Sequence, residues 1–285
     1  MALRIITGIV LIAAVVVLVW WAPAWFVAIV AAVFALAALV EFFALGERLG
    51  LRAFRKWTLV CAAGLVYAQY SAGMAEARAF GIGFVVVRKL AGFSVSVDAV
   101  LLAFLFGAVG IGLATRWPLR DVLPAISISS AGLLFVALPF SYLARINEVE
   151  RFGRELILFT LALIWAGDTL AYFTGKFVGR VPMAPALSPK KTWEGAVANV
   201  VGSLLVAWAA SRWMDMDAGT LLFIAGAANI AGQMGDLIES AYKRGANVKD
   251  SGTIVPGHGG VLDRIDSLIL AAPVVWVLYV WLAQR

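Results

Sequence analysis

Apolar runs long enough to cross a lipid bilayer recur along the whole chain and constrain its fold more than any other feature. A helix rises about 1.5 Å per residue, so roughly 20 apolar residues span the hydrocarbon core. The runs predict about nine transmembrane helices, near residues 5–21, 24–45, 57–74, 96–115, 122–143, 155–175, 194–212, 218–242 and 265–283. We therefore expect an all-α, polytopic protein embedded in the lipid bilayer.

The composition supports this fold class, because 63% of the 285 residues are hydrophobic and only 14% are charged. Soluble domains carry about 25% charged residues. The 23 Lys and Arg residues outnumber the 17 Asp and Glu residues. If all nine spans cross the bilayer, most of the basic residues fall on the side of the membrane that holds the N-terminus. Positive loops mark the cytoplasmic side, so we expect an inner (plasma) membrane protein with polar loops 176–193 and 243–263 in the cytoplasm. Basic helices with interleaved aromatic residues are lacking, so we expect no nucleic-acid partner.

Polar residues of chemical interest begin only after residue 164, which predicts two regions. Residues 1–150 are interpreted as a transmembrane scaffold, and residues 151–285 as a transmembrane catalytic region. Asp168 lies inside an apolar run, where an ionisable group is costly unless it faces a partner or water. Tyr172 and Lys176 follow at steps of four on the same helix face. This face predicts the wall of a site; the alternative is a structural Asp that bonds a neighbouring helix.

Two lysines stand at the predicted start of the seventh span, just after Pro189. Pro189 interrupts helix, so Ser188, Lys190 and Lys191 lie beside the free amide groups of a helix N-terminus. Cations and free N–H groups together favour a phosphate. The alternative is a positive membrane anchor beside Trp193.

The eighth predicted span carries a polar stripe at steps of three and four: Asn229, Gln233, Asp236, Ser240 and Lys243, with Glu239 beside them. This spacing places the stripe on one face of an otherwise apolar helix. A polar face inside lipid needs protein or water opposite it. The stripe therefore predicts a site, and the alternative is hydrogen bonding between helices.

A glycine-rich polar segment precedes the last span, which opens with Asp263 and Asp266 at spacing i, i+3. With Asp236 these carboxylates make an all-oxygen set that suits Mg²⁺ or Mn²⁺. Lys249 and Arg264 add phosphate-binding cations, and Gly259 and Gly260 allow close approach of the backbone to a ligand. His258 is more typical of a hydrogen-bonded loop residue than of a base. These parts predict metal-assisted phosphoryl or nucleotidyl transfer, without a Walker A loop.

The spacing from Ser240 to Asp266 carries a resemblance to a known family. The pattern reads Ser240-x-x-Lys243-Arg244, Lys249-Asp250, then Pro256-x-His258-Gly259-Gly260-x-x-Asp263-Arg264-x-Asp266. It resembles the signature of the phosphatidate cytidylyltransferases, or CDP-diacylglycerol synthases. Segments 165–176 and 188–195 resemble the same family, whereas the first half matches only in hydropathy. Tyr242 and Val255 depart from the family pattern.

The resemblance implies that CTP and phosphatidate react to give CDP-diacylglycerol and pyrophosphate. It implies Asp236 and Asp263 as ligands of Mg²⁺, and it suggests a homodimer. The predicted catalytic residues are Lys243, Arg244, Lys249, Arg264 and Asp266. The predicted substrate-binding residues are Asp168, Lys176, Ser188, Lys190, Lys191, Ser240, His258, Gly259 and Gly260.

Three alternatives remain open at this point. A transporter or channel could line an ion path with Asp168, Asn229, Gln233 and Asp236, although it has no need for the spaced cytoplasmic pattern. A related enzyme could use CTP with another lipid. A non-catalytic scaffold would tolerate alanine at Asp236 or Asp263, whereas either enzyme would lose activity by orders of magnitude.

Overall fold

The computed structural model describes residues 2–79, 95–149, 151–254 and 259–283. The helices are α1 (Ala2–Trp21), α2 (Ala24–Arg48), α3 (Arg55–Ala79), α4 (Val97–Ala114), α5 (Leu119–Gly132), α6 (Leu138–Asn147), α7 (Gly153–Phe177), α8 (Trp193–Ala210), α9 (Ala218–Gly245) and α10 (Leu262–Ala283). A π-helical turn, Leu133–Ala137, joins α5 to α6. Strands β1 (Pro182–Ala184) and β2 (Ser188–Thr192) form an antiparallel hairpin.

The predicted all-α, multi-pass membrane fold is confirmed. Within the described ranges, seven helical segments are long and apolar enough to cross a membrane: α2, α4, Leu119–Asn147, α7, α8, α9 and Leu262–Leu282. The other two predicted spans are also helices. α1 includes a shorter apolar segment, Val10–Trp21, and α3 is less apolar because it carries Gln69 and two tyrosines.

The described residues form two compact units. One comprises Met1–Arg154 and Ser251–Leu262, and the other comprises Glu155–Asp250 and Asp263–Arg285. Ser251–Leu262 therefore belongs to the first unit, although the predicted catalytic region 151–285 includes it. The assignment of a scaffold role to 1–150 and a catalytic role to 151–285 stays a prediction.

The first unit is built on α2, α3 and α6, which contact one another. One face of α2 buries a row of small residues, Ala28, Ala31, Ala35 and Ala38. Small side chains let helix backbones approach closely, which matters in lipid because apolar burial alone does not drive helices together there. Larger side chains fill the rest of the core, among them Leu39, Phe43, Leu65, Leu133 and Ile146.

The second unit packs α8 against α9, and both helices begin at a capping side chain. Thr192 Oγ1 accepts a hydrogen bond from the amide of Gly195 at 3.2 Å. Asp217 accepts one from the amide of Thr220 at 2.9 Å. Such caps satisfy amides that the first helical turn leaves unpaired. Because Thr192 is also the last residue of β2, the hairpin leads directly into α8. Lys190 and Lys191 therefore lie on β2 immediately before the start of this helix.

Candidate active site

Three carboxylates of α9 and α10 lie close enough together to hold a metal ion. Asp236 and Glu239 are three residues apart and share one face of α9, and Asp266 lies near the start of α10. One oxygen of each lies within 4.8 Å of the others. Oxygen ligands on opposite sides of a small divalent ion such as Mg²⁺ are about 4.2 Å apart, so the spacing of these oxygens is close to what such an ion would need. The all-oxygen donor set fits a hard divalent cation.

Lys243 lies between the carboxylates of Glu239 and Asp263 and forms ion pairs with both. Its Nζ is 2.6 Å from Asp263 Oδ1, and it also pairs with Glu239 one turn earlier. The side chains of Lys243 and Asp263 are only 12% and 5% exposed, so each charge depends on its partner. Asp263 thus faces Lys243, and the third member of the carboxylate group beside Asp236 and Asp266 is Glu239. Metal binding by Asp236 and Asp263 stays a prediction.

Lys191 connects the hairpin to the carboxylate group. Its Nζ lies 2.5 Å from Asp236 Oδ2, and both side chains are half-buried. The preceding residue, Lys190, is exposed. Successive residues of a regular strand point to opposite sides, but the pairing of β1 with β2 is irregular across this stretch, and both lysines line the same cavity. Two of the cations predicted to bind phosphate, Lys190 and Lys191, therefore line the same cavity as Asp236.

A cavity of about 290 Å³ is lined by α7, the hairpin, α8, α9 and Ser267 of α10. Its charged and amide lining residues are Asp168, Lys190, Lys191, Asn199, Gln233 and Asp236. Small residues such as Gly175 on α7 and Gly195 on α8 also line the cavity and leave room between these two helices. The volume is at the lower end of small-molecule sites, which run from about 300 to 1,000 Å³. The second unit therefore contains a cavity whose wall includes charged and amide side chains and which lies next to its acidic group.

A chain of amide hydrogen bonds holds Asp168 in the cavity wall. Asn199 Nδ2 donates to Asp168 Oδ1 at 3.0 Å, and Asn229 Nδ2 donates to Asn199 Oδ1 at 2.5 Å. Gln233 Nε2 donates to Asn229 Oδ1 at 2.7 Å. The chain links α7, α8 and α9, so the predicted hydrogen bonding between helices is present and also positions cavity residues.

The close contact between α9 and α10 depends on Gly235. A Cβ atom at this position would overlap the backbone carbonyl oxygen of Asp266, and a backbone atom cannot move without shifting α10. We expect Gly235→Ala to reduce turnover about a hundredfold, the order that a 1 Å displacement costs. The measurement is kcat of the purified variant in detergent.

Gly226→Ala is the matched control, because it makes the same change on the same helix. There the nearest atom to an added Cβ is Leu204 Cδ2 at 3.8 Å, an ordinary contact. Wild-type turnover in Gly235→Ala would contradict the importance of this helix contact.

The other predicted residues of the second unit have different surroundings. Arg244 donates from Nε to the carbonyl of Leu187 at 3.1 Å and from Nη1 to that of Val248 at 2.9 Å. Lys176 lies 5.4 Å from the centre of the Phe177 ring. Ser240 is buried, Ser188 is half-buried, and Lys249 and Arg264 are exposed. Arg244 thus binds backbone carbonyls, whereas the side chains of Lys249 and Arg264 are exposed.

Gly259 and Gly260 belong to the first unit. Gly259 has a positive φ of 86°, which favours glycine, and Gly260 is buried. His258 falls outside the described residues. Binding of substrate by these three residues stays a prediction.

Asn199 and Ser203 are site-supporting residues that the sequence pattern did not single out. Both are buried on α8, and Ser203 Oγ accepts from Asn229 Nδ2 at 2.5 Å. Their signal was present, since two polar residues four positions apart within an apolar span define one helix face. The seventh predicted span thus carries polar residues on one face, as the eighth does.

The sequence is similar to known proteins over most of its length. The model of the cytidylyltransferase family matches residues 2–282. A phosphatidate cytidylyltransferase of Brucella abortus biovar 1 is 35% identical over 233 residues, which cover 80% of each chain. That of Rickettsia prowazekii is 35% identical over 182 residues, 61% of this chain and 79% of the relative. That of Bacillus subtilis is 37% identical over 147 residues, 51% of this chain and 55% of the relative.

Proposed function

Because this chain belongs to the cytidylyltransferase family, we propose that it transfers the cytidylyl group of CTP to phosphatidate, giving CDP-diacylglycerol and pyrophosphate. The observation that carries the proposal is the group of Asp236, Glu239 and Asp266 beside Lys191 at a cavity among membrane-spanning helices. A nucleotide and a phospholipid both present phosphates that need cations. A lipid acceptor also needs a site that the bilayer can reach.

Asp236, Glu239 and Asp266 are proposed to hold Mg²⁺, the divalent ion that most often accompanies substrate phosphates. A divalent cation held there supplies positive charge where negative charge accumulates on the phosphates during transfer. Lys191 is paired with Asp236, and this lysine becomes available to a phosphate when Asp236 engages a cation instead. Lys190, on the same cavity wall, adds a second cation for the nucleotide.

In the proposed step, an oxygen of the phosphatidate phosphate attacks the α-phosphorus of CTP. The new P–O bond forms as the bond to the bridging oxygen of the β-phosphate breaks, and pyrophosphate leaves with that electron pair. A phosphate monoester is largely ionised at neutral pH, because its second pKa is about 6. The acceptor therefore needs no strong base, and the residues at the cavity act by orienting substrates and balancing charge.

The site is proposed to face the cytoplasm from the inner (plasma) membrane. CTP is a polyanion of the cytosol, and the basic loops favour the cytoplasm for the segment that contains Lys190 and Lys191. The homodimer that the resemblance implies stays a prediction. Transport is not favoured, because the relatives that match this chain are named as transferases.

The test is pyrophosphate release by the purified protein in detergent with CTP, phosphatidate and Mg²⁺. Release that requires phosphatidate, stops with EDTA and returns with excess Mg²⁺ is the expected result. Diacylglycerol, which lacks the phosphate, is the matched control and should give no release. CTP binding without phosphatidate-dependent release would point to another lipid acceptor, and failure to bind CTP would contradict nucleotidyl transfer.

A further inference from the structure

Glu41 is a buried carboxylate of the first unit, in the C-terminal third of the membrane-spanning helix α2. It is only 4% exposed, and its neighbours in sequence, such as Leu39 and Phe42, belong to the apolar core. A carboxylate in such surroundings is costly unless hydrogen-bond donors satisfy it. The hydropathy pattern predicts only a scaffold role for this part of the chain.

Three hydrogen-bond donors from the segment between Ser240 and Asp266 bind this carboxylate. Ser251 Oγ and the amide of Leu262 each donate to Glu41 Oε2 at 2.8 Å. The amide of Val261 donates to Glu41 Oε1 at 3.0 Å. Leu262 is the first residue of α10, so Glu41 satisfies amides at the N-terminus of that helix from more than 200 positions away. A negative charge is also favourable there because the helix dipole is positive at its N-terminus.

The segment around Glu41 is closely packed. A Cβ atom at Gly252 would overlap the Glu41 carboxylate, and one at Gly260 would overlap both that carboxylate and Ser251 Oγ. Only glycine at these two positions lets the backbone close on the carboxylate. The contact therefore depends on a carboxylate, a hydroxyl and two glycines that fit one another.

We propose that Glu41 is a positioning residue for the transfer reaction: it fixes the start of α10 and thereby places the acidic residues of that helix. Asp266 follows Leu262 by four residues, about one helical turn, so an error at the helix start is passed on to its carboxylate. A misplacement of about 1 Å can cost a hundredfold in rate. This inference rests on the proposed function, since it concerns that same reaction.

The first test is Glu41→Gln, which keeps the shape but replaces one acceptor oxygen by a donating NH₂ group. That group then faces either the Leu262 and Ser251 donors or the Val261 amide. We expect kcat to fall about 10-fold to 100-fold, the KM for CTP to change less than about threefold, and half-maximal activity to need more Mg²⁺. The split arises because positioning of α10 affects the transfer step more than nucleotide binding.

Glu47→Gln is the matched control on the same helix. Glu47 is 58% exposed and pairs with Arg55 at 2.5 Å. Its surroundings therefore differ from the buried site of Glu41. Its kcat should stay within about twofold of wild type, as expected for an exposed ion pair.

A second measurement does not depend on catalysis. Hydrogen exchange of the amides of Val261 and Leu262 should become at least about tenfold faster in Glu41→Gln, while the buried parts of α2 and of α10 keep their protection. If the wild-type protein shows no transfer with phosphatidate, the proposed function fails, and this measurement still tests whether Glu41 holds the helix start.

Ser251→Ala covers the case in which Glu41→Gln does not fold, because it removes one donor and leaves the carboxylate. We expect a two- to fivefold loss of kcat in Ser251→Ala, and no further loss when it is combined with Glu41→Gln, because the two residues act through one contact. Unchanged kcat in folded Glu41→Gln would overturn the proposal even with faster exchange. A loss that only follows the folded fraction would do the same.

Discussion

Asp266→Asn is expected to lower kcat by about a thousandfold, or roughly 4 kcal/mol in the activation barrier. The substitution keeps the shape but removes a charged oxygen from the group within 4.8 Å of Asp236 and Glu239. Raising the Mg²⁺ concentration should recover part of the activity, because the lost charge weakens cation binding first. The measurement is kcat against Mg²⁺ concentration with saturating CTP and phosphatidate.

Asp98→Asn provides the control for this prediction, since Asp98 is exposed in the first turn of α4. It should leave both kcat and the Mg²⁺ requirement unchanged. Activity of Asp266→Asn within tenfold of wild type at all Mg²⁺ concentrations would remove Asp266 from the metal group.

Lys243→Met is expected to have the largest effect on stability and to abolish turnover as well. It leaves the carboxylates of Glu239 and Asp263 buried without the cation that pairs with both. Breaking a buried ion pair by removing one partner costs about 3–5 kcal/mol. We expect a clear fall in the midpoint of thermal unfolding in detergent, together with a loss of activity of at least about a hundredfold.

Two further variants separate the stability effect from the catalytic effect. Lys56→Met is the control for loss of a lysine, because Lys56 is exposed on α3, and it should unfold at the wild-type temperature. Adding Glu239→Gln and Asp263→Asn to Lys243→Met removes the uncompensated charges. The midpoint should then recover while turnover stays low. Wild-type stability in Lys243→Met itself would mean that the ion pairs contribute little.

The helical period explains why much of the α9 face could be predicted from sequence. Steps of three and four placed Asp236, Ser240 and Lys243 on one side of a helix, because 3.6 residues per turn fix that relation locally. The partner of each side chain could not be predicted in the same way. Whether Asp263 faces a metal or Lys243 depends on how α10 is rotated against α9, and that rotation follows from contacts between the helices, such as the close approach at Gly235.

Two other features lay beyond the sequence patterns for different physical reasons. The hairpin β1–β2 is too short for a period of two to be visible in segment 176–193. Glu41 binds residues more than 200 positions away, and no local period encodes such a contact. Its signal was the lone carboxylate in an apolar span, which by itself indicates a partner or a function.

The most direct test of cytidylyl transfer follows the α-phosphorus of CTP. The wild-type protein is given phosphatidate, Mg²⁺ and CTP labelled at either the α- or the γ-phosphorus, and the lipid fraction is extracted. We expect the α-label to enter the lipid and the γ-label to leave as pyrophosphate. Asp266→Asn should carry out this transfer far more slowly than the wild-type protein. γ-Label in the lipid, or no label in the lipid while CTP is consumed, would contradict the account.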